Sequence, residues 1–298
     1  MKQILVLGST VMDVLISLPR LPRPGESGNI PAPVYRLGGC AYNSFKALRR
    51  LQIPALLCSP VGTGVFGTLI REALAAEGLR PFAALEEETG CCYCLIEADG
   101  ERTFLSHHGA EYRFSRSWME PLDLARFDRV LISGIEVEEG SGGELAAFVR
   151  KYPGLALRFS PGPRINHIPA DRMERLLARR DTGGLGPFLH LNENEACCFT
   201  GQNQVEAAAE ALGGMTDNAL VVTLGERGCY YRERGGETRG FIAGLRACSN
   251  SGILALQTPK FYLAGSKRTR KSGFLRSIGR KNPQFEQVLR VRPYNTVG

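Results

Sequence analysis

The sequence has no long hydrophobic run and no export signal. No stretch of its 298 residues approaches the roughly 18 apolar residues of a membrane-spanning helix. The N-terminal apolar run Ile4–Leu7 is too short for a signal peptide, and no small-residue cleavage site follows it. The nine cysteines are an odd number, which argues against a disulfide framework. These absences predict a soluble cytoplasmic protein with no membrane partner.

Acidic residues are nearly absent from the last part of the chain. The whole sequence has 37 Lys+Arg against 30 Asp+Glu, a net charge of +7. The segment 248–298 contains ten basic residues and a single acidic one, Glu286, which gives it a charge of +9. Residues 1–247 therefore carry −2. Such asymmetry is typical of a tail, a fused segment or a nucleic-acid-binding arm.

Two common nucleotide-binding motifs and a zinc motif are also missing. No G-x-G-x-x-G follows the first predicted strand, and Gly62–Thr68 has the glycine spacing of a P-loop without its lysine. Cys91-x-x-Cys94 has no second ligand pair, so reduced core thiols are favoured over a zinc site. The chain is thus predicted to be neither a Rossmann dehydrogenase nor a P-loop enzyme.

Short apolar runs alternate with segments of helical periodicity through most of the chain. This alternation predicts an α/β fold, with a mostly parallel sheet covered by helices on both faces. The predicted strands are Ile4–Leu7, Ala55–Cys58, Asp128–Ile132, Leu155–Phe159, Phe188–Leu191 and Leu220–Leu224, the last clear one. The predicted helices are Ala41–Leu51, Thr68–Glu77, Gly143–Lys151, Ala170–Arg180 and part of Glu195–Leu212.

Two segments interrupt the alternation. Cys92–Glu97 and Arg102–Ser106 flank an Asp-Gly turn, which is a strong hairpin signal. Asp13–Leu37 is likewise strand-like and punctuated by proline and glycine. Together these parts, about residues 13–37 and 91–108, are predicted to form a small β layer that covers a ligand crevice as a lid.

Polar and flexible residues gather where the first strand and first helix would approach a ligand. Gly38-Gly39 precedes the first helix and would allow close backbone approach or hinge motion. Asn43, one turn into that helix, offers a donor and an acceptor, and Asp13 lies just beyond the first strand. Considered alone, the glycine pair is more typical of an ordinary strand-to-helix turn than of a ligand site, and an isolated aspartate such as Asp13 is more often a cap.

Taken in order along the chain, the motifs resemble those of the ribokinase/PfkB family of carbohydrate kinases, from about Met1 to about Ala247. The matching segments are Asp13, Gly38-Gly39-x-x-x-Asn43, Val61–Gly67, Thr89-Gly90 with Asp99–Arg102, Leu191–Glu195 and Val221–Gly228. The resemblance implies a ribokinase-like, doubly wound fold with a small lid, and ATP-dependent phosphorylation of a sugar hydroxyl.

The resemblance also implies roles for individual residues. The implied site residues are Asp13 and Asn43 for sugar hydroxyls, Gly38 and Gly39 as the hinge of lid closure, Thr223 and Gly225 for the nucleotide, and Asn192 and Glu195, acting through water, for Mg²⁺ and the phosphates. The structural alternative for Asn192 and Glu195 is capping of a helix N-terminus, and both roles are compatible. ATP and Mg²⁺ are the implied cofactors, and a small sugar is the implied partner.

The chain departs from the family pattern at three places. Gly64 stands where the family has an aspartate, and Phe159–Arg164 retains only part of the family's F-D-P-N-x-R. The family's D-T-x-G-A-G-D, which supplies the anion hole and the general base, does not occur downstream of residue 238. No catalytic base is therefore assigned. Loss of a base costs about 10²–10⁴ in rate, and loss of an anion-hole donor about 10²–10³.

The charge imbalance and the end of the family motifs coincide near residue 247. We therefore expect a kinase core over 1–247 and an atypical basic tail over 248–298, explained by truncation, replacement or a displaced reading frame. A sugar kinase of doubtful activity is the leading hypothesis, and a non-catalytic sugar or nucleoside binder is the alternative. Nucleic-acid binding by the tail is less favoured, since charge runs are usually solvated. Pairing of two copies through the lid remains open.

Overall fold

Strands and helices alternate along the computed structural model, which describes residues 2–177, 185–235 and 238–242. The predicted basic tail lies outside these residues. The strands are β1 (Gln3–Leu7), β2 (Val11–Ser17), β3 (Val34–Gly38), β4 (Ala55–Cys58), β5 (Pro60–Thr63), β6 (Ala83–Glu88), β7 (Cys91–Ile96), β8 (Arg102–His107), β9 (Phe127–Ser133), β10 (Ala156–Ser160), β11 (Phe188–Asn192), β12 (Leu220–Thr223), β13 (Cys229–Arg232) and β14 (Thr238–Ile242). The helices are α1 (Cys40–Arg50), α2 (Gly64–Ala76), α3 (Gly134–Glu138), α4 (Gly142–Lys151), α5 (Ala170–Leu177), α6 (Glu193–Thr200) and α7 (Val205–Thr216).

The central sheet has eight strands in the order β14-β13-β12-β11-β10-β9-β1-β4. Parallel pairing, as predicted, joins neighbouring strands from β4 through β1, β9, β10 and β11 to β12. Strand β13 pairs antiparallel with both β12 and β14. The prediction that the clear strands end at residue 224 missed β13. Its four residues, Cys229–Arg232, contain two tyrosines and end in an arginine, so they form no apolar run of the kind that marks the parallel strands, although all four side chains are buried.

Helices cover the central sheet on both faces, which confirms the doubly wound arrangement. Leu5 and Leu7 of β1 join a core cluster with apolar residues of α4, α5, α6 and α7, whereas Ile4 and Val6 join a separate cluster with α1. Successive side chains of a strand point to opposite faces, so β1 contributes to both layers. The uninterrupted apolar character of this strand follows from burial on two sides.

The lid is a separate four-stranded sheet in the order β3-β2-β7-β8. Its central pair, β2 and β7, is parallel, and each outer strand is antiparallel to its neighbour. Met12 and Leu37 anchor its base by packing with Ile70 and Leu74 of α2. Farther out, aromatic and aliphatic side chains such as Tyr35 are exposed. Pairing of two copies through this lid stays a prediction.

Candidate functional site

The order of strands in the central sheet reverses between β1 and β9. From β1 the chain continues to β4 on one side, and it later returns to β9 on the other side. In open α/β sheets the carboxyl ends of the strands at such a reversal border a crevice where ligands bind. Gly8 and Ser9 follow β1 at this edge, and Ser133 and Gly134 end β9 and begin α3.

The paired glycines border this crevice, and a side chain at either position would meet close neighbours. A Cβ at Gly38 would lie 2.0 Å from Oδ2 of Asp13, so any larger residue would displace that carboxylate. Gly39 has φ +94°, and a Cβ there would lie 2.6 Å from the Ser9 carbonyl oxygen. The pair therefore allows the backbone before α1 to approach both the lid and the end of β1 closely.

Asp13 and Asn43 lie on either side of this glycine pair. Asp13 belongs to β2 of the lid, where its register partners are Arg36 and Cys92. Its carboxylate is half-buried, and burial raises the pKa of Asp13 to about 6. Asn43 is exposed in the first turn of α1, and its backbone N–H donates to the Gly39 carbonyl at 3.0 Å. The four residues predicted for the sugar side are thus close together.

Glu136 is a further candidate that the sequence analysis missed. It lies in α3 just after β9, is 4% exposed, and accepts hydrogen bonds of 3.0 Å from both the backbone N–H and the hydroxyl of Ser9. Its other oxygen, Oε2, is buried without a hydrogen-bond partner. Burial raises the pKa of Glu136. An acidic residue shortly after a predicted strand end was the available signal, because ligands bind at such ends.

Glu111 attaches the lid hairpin to the rest of the protein. It is fully buried in a short 3₁₀ helix, and its two oxygens accept hydrogen bonds from Gly90 N–H at 2.8 Å and Gly109 N–H at 3.0 Å. Gly90 directly precedes β7, and Gly109 lies two residues after the end of β8. One carboxylate therefore holds both ends of the hairpin that continues into the lid.

A second group of predicted residues lies farther along the same edge of the sheet. Asn192 ends β11 and Thr223 ends β12, and the two are register partners. Asn192 and Glu195 form a reciprocal cap on α6: the Asn192 side chain accepts from Glu195 N–H at 2.8 Å, and the Glu195 carboxylate accepts from Asn192 N–H at 3.0 Å. Asn192 and Glu195 therefore do cap the helix N-terminus, which was the structural alternative to a ligand-binding role. The cap also places the nearly buried Glu195 carboxylate at the strand ends.

The turn after β12 brings Gly225 beside this cap. Gly225 has φ +60° and begins a short 3₁₀ helix over Gly225–Arg227, and nothing lies within 4 Å of where its Cβ would be. Arg227 of this turn forms an ion pair with Glu193 of α6. The Arg227–Glu193 ion pair thus connects the turn to the capped helix α6, and the space around the Cα of Gly225 is open.

Substitution of Asn192 by alanine is expected to lower the free energy of unfolding by about 1 kcal/mol, because the cap of α6 is lost. Urea denaturation of the full chain measures this. Asn194→Ala, an exposed change in the same helical turn, is the matched control. Equal stability of the two variants would show that the cap contributes nothing.

Comparison with known proteins agrees with this architecture. The pfkB family carbohydrate kinase domain matches residues 1–245, so the chain belongs to the pfkB family of carbohydrate kinases. It is 31% identical over 235 residues to the uncharacterized sugar kinase YegV of Escherichia coli K12, covering 77% of this chain and 71% of that protein.

Solved ribokinases share the fold. The ribokinase of Giardia lamblia superposes with a TM-score of 0.67 at 20% identity, covering 80% of each chain. Arabidopsis thaliana ribokinase, complexed with ribose and ATP, gives a TM-score of 0.63 at 21% identity, covering 80% of this chain and 78% of its own. At this identity the likeness concerns the fold. The predicted ribokinase-like class is confirmed.

The described part of the chain lacks two features. No helix in it is long and apolar enough to cross a membrane. Within residues 2–177 and 185–235, no group of three or more His, Cys, Asp or Glu side chains could hold a metal ion.

Proposed function

We propose that the protein binds a sugar or nucleoside at Asp13, Asn43 and Glu136, and ATP along the carboxyl ends of β11 and β12. The observation that carries the proposal is the unpartnered, buried Oε2 of Glu136 at the strand reversal, beside Gly8 and Ser9. A buried carboxylate oxygen without a donor is costly unless a ligand hydroxyl supplies one.

The spacing of the two groups of residues leaves room for a nucleoside triphosphate as the second ligand. Three steps across the sheet separate β1 from β11, which amounts to roughly 14 Å at about 4.8 Å per strand. This distance leaves room for a phosphate chain between a sugar near β1 and a nucleoside near β12. The plant ribokinase complexed with ribose and ATP is a relative in fold that holds the same pair of ligand classes.

Asn192 and Glu195 near β11 fit a Mg²⁺ ion that keeps most of its water ligands. They do not form a site in which protein groups supply every ligand. Both Glu195 oxygens face Asn192 groups, and each retains capacity to accept from a metal-bound water. Mg²⁺ keeps several waters in protein sites and is usually held by one or two carboxylates together with phosphates. The ion would neutralise phosphate charge when bound, and the capped Glu195 would orient its water shell.

Phosphoryl transfer by this chain is proposed to be weak. The sequence through residue 298 contains no G-A-G-D, and the family resemblance assigns both the base and the anion hole to that motif. A turnover about 10²–10⁴ below that of a related kinase with the motif is expected, because a positioned base contributes that factor. Ligand binding depends on residues 8–43, 134–136 and 192–225 and is expected to persist.

The test is calorimetric titration of the full chain with a panel of sugars and nucleosides, alongside an ADP-release assay. Gly38→Ala is expected to abolish sugar binding, because its Cβ would overlap the Asp13 carboxylate. Gly28→Ala, in the exposed loop of the lid with open space around it, is the matched control. Binding without ADP release favours the non-catalytic alternative. Absence of binding to every sugar and nucleoside contradicts the proposal.

A further inference from the structure

Three basic side chains border one surface cavity at the C-terminal end of α1. Lys46, Arg49 and Arg50 lie in the last two turns of this helix, and they line the cavity together with Glu77, the residue that follows α2. The cavity has a volume of about 340 Å³, which is at the lower end of the range for small-molecule sites. We call it the basic cavity.

The positive charge of the basic cavity is only partly balanced. Glu77 is the one acidic residue among those described that line it, and it pairs with Lys46. The Glu77 carboxylate lies 3.9 Å from Nη1 of Arg49, at the outer limit of an ion pair. Arg50 forms no ion pair with any residue that the structure describes. Three cations and one carboxylate leave a net charge of +2 on the lining.

Neighbouring aromatic residues hold part of the lining in place. The hydroxyl of Tyr42, a buried residue of α1, donates a hydrogen bond of 2.6 Å to Glu77, and Lys46 Nζ donates one of 2.7 Å to the same hydroxyl. The Arg49 guanidinium lies over the Phe45 ring, 5.8 Å from its centroid. Side chains that are already positioned lose less conformational entropy when a ligand binds.

Stabilisation of the helix end explains only part of this arrangement. Arg49 and Arg50 lie in the last turn of α1, where basic residues interact favourably with the helix dipole. That effect requires proximity to the helix end alone. It does not require the side chains to border a cavity that the end of a second helix completes, and it leaves the charge of Arg50 available to a ligand.

A phosphate monoester matches the charge and the geometry of the basic cavity. Such a group carries about −1.5 to −2 charges at pH 7 and presents three terminal oxygens. Guanidinium groups bind phosphate through two parallel hydrogen bonds, and a lysine ammonium binds it as a point charge. A single carboxylate group offers only two oxygens and one negative charge, so it complements three cations less well.

From this convergence of Lys46, Arg49 and Arg50 on one cavity, we propose that the protein binds a small phosphate monoester there, at a site separate from the proposed sugar and nucleotide sites. Asn43 of the proposed sugar site lies in the first turn of α1, whereas Arg50 is its last residue. Seven residues of helix place the two about 10 Å apart along the axis.

The experiment is calorimetric titration of the full chain at low ionic strength with glycerol 3-phosphate, and with glycerol and succinate for comparison. Glycerol 3-phosphate is expected to bind at least about tenfold more tightly than either, because neither carries a phosphate. Its affinity is also expected to fall as ionic strength rises from about 0.01 M to about 0.15 M, where the Debye length shortens from about 30 Å to about 8 Å.

Arg50→Gln is expected to weaken the binding of glycerol 3-phosphate about tenfold, because one cation and its charge-assisted hydrogen bonds are lost. Arg116→Gln makes the same change of charge and is expected to leave that affinity unchanged. Arg116 is an exposed residue of a short 3₁₀ helix, and its backbone N–H donates to Glu144 of α4.

The outcomes separate this site from the proposed sugar site. Absence of saturable binding of glycerol 3-phosphate would overturn the inference, and so would equal affinity of wild type and folded Arg50→Gln. Succinate binding as tight as that of glycerol 3-phosphate would overturn the assigned ligand class. If thermal unfolding shows that Arg50→Gln does not fold, Arg49→Gln takes its place with the same expected loss. Gly38→Ala, expected to abolish sugar binding, is expected to retain glycerol 3-phosphate binding.

Discussion

Replacement of Asp13 by asparagine is expected to weaken sugar binding by about 10- to 100-fold. Hydrogen bonds to an ionised group are roughly twice as strong as neutral ones, and asparagine offers a single neutral acceptor where Asp13 offers two charged oxygens. Because burial raises the pKa of Asp13 to about 6, wild-type affinity is also expected to fall as the pH drops from 7.5 to 5. Calorimetric titration across that range measures both effects.

The same substitution is expected to make the folded protein more stable at pH 8. Asp13 has a folded pKa near 6 and an unfolded pKa of about 3.9, so the folded state binds the additional proton. The resulting stabilisation of wild type is present below about pH 4 and is lost as pH rises through 6. The asparagine side chain of the variant carries no such charge to desolvate. An increase in Tm of roughly 2–5 °C is expected at pH 8, and a smaller one at pH 5.

Asp171→Asn is the matched control for both measurements. Asp171 is an exposed carboxylate on α5, where it pairs with Arg175, and it is remote from the crevice. Its substitution is expected to leave sugar affinity and the pH dependence of Tm unchanged. If Asp13→Asn bound sugar as tightly as wild type, Asp13 would not be a sugar ligand. If its Tm fell at pH 8, the carboxylate would be stabilising the fold instead.

Glu111→Ala is expected to lower the free energy of unfolding by about 2–4 kcal/mol. The substitution leaves Gly90 N–H and Gly109 N–H buried without an acceptor, and each such group costs about 1–3 kcal/mol. Relief of the buried charge, whose cost is visible in the raised pKa of Glu111, offsets part of this loss. Urea denaturation measures the change. Glu111→Gln keeps one acceptor and is expected to lie between wild type and alanine.

Hydrogen exchange then shows whether Glu111→Ala loosens only the β7–β8 hairpin or destabilises the whole protein. Because Glu111 holds both ends of the β7–β8 hairpin, amides of these strands are expected to exchange faster in Glu111→Ala than those of β9 and β10. Glu101→Ala, in the exposed turn of the same hairpin, is the control, and its stability should stay within about 0.5 kcal/mol of wild type. Uniform acceleration over the whole sheet would contradict a local role for Glu111.

Much of the fold was predictable because its signals are local. Each parallel strand is an apolar run between turns, and the Asp-Gly turn specifies the lid hairpin from a few adjacent residues. Asn192 and Glu195 are three residues apart, so the cap they form is also a local pattern. The ends of elements were less accurate. Helix α2 begins at Gly64, four residues before the predicted start, since Thr63 occupies its N-cap position.

The features missed from the sequence depend on contacts between distant residues. Glu136 is separated from Ser9 by 127 positions, and only the pairing of β1 with β9 brings them together. Glu111 accepts a hydrogen bond from Gly90 N–H, and the whole β7–β8 hairpin lies between these two residues in the sequence. Cys91 and Cys94 are buried core thiols, as predicted, whereas Cys92 is the register partner of Asp13 because β7 pairs with β2. No short-range pattern encodes any of these three relations.

The sequence by itself determined the α/β class, the lid hairpin, the family resemblance and the charge difference between residues 1–247 and 248–298. These features depend on composition or on residues close together in the chain. The tertiary structure alone decided which carboxylate lies beside Ser9 at the strand reversal, and which of its oxygens stays unpartnered. Burial and partnership are properties of packed neighbours, and strand order across the sheet selects those neighbours from distant parts of the chain.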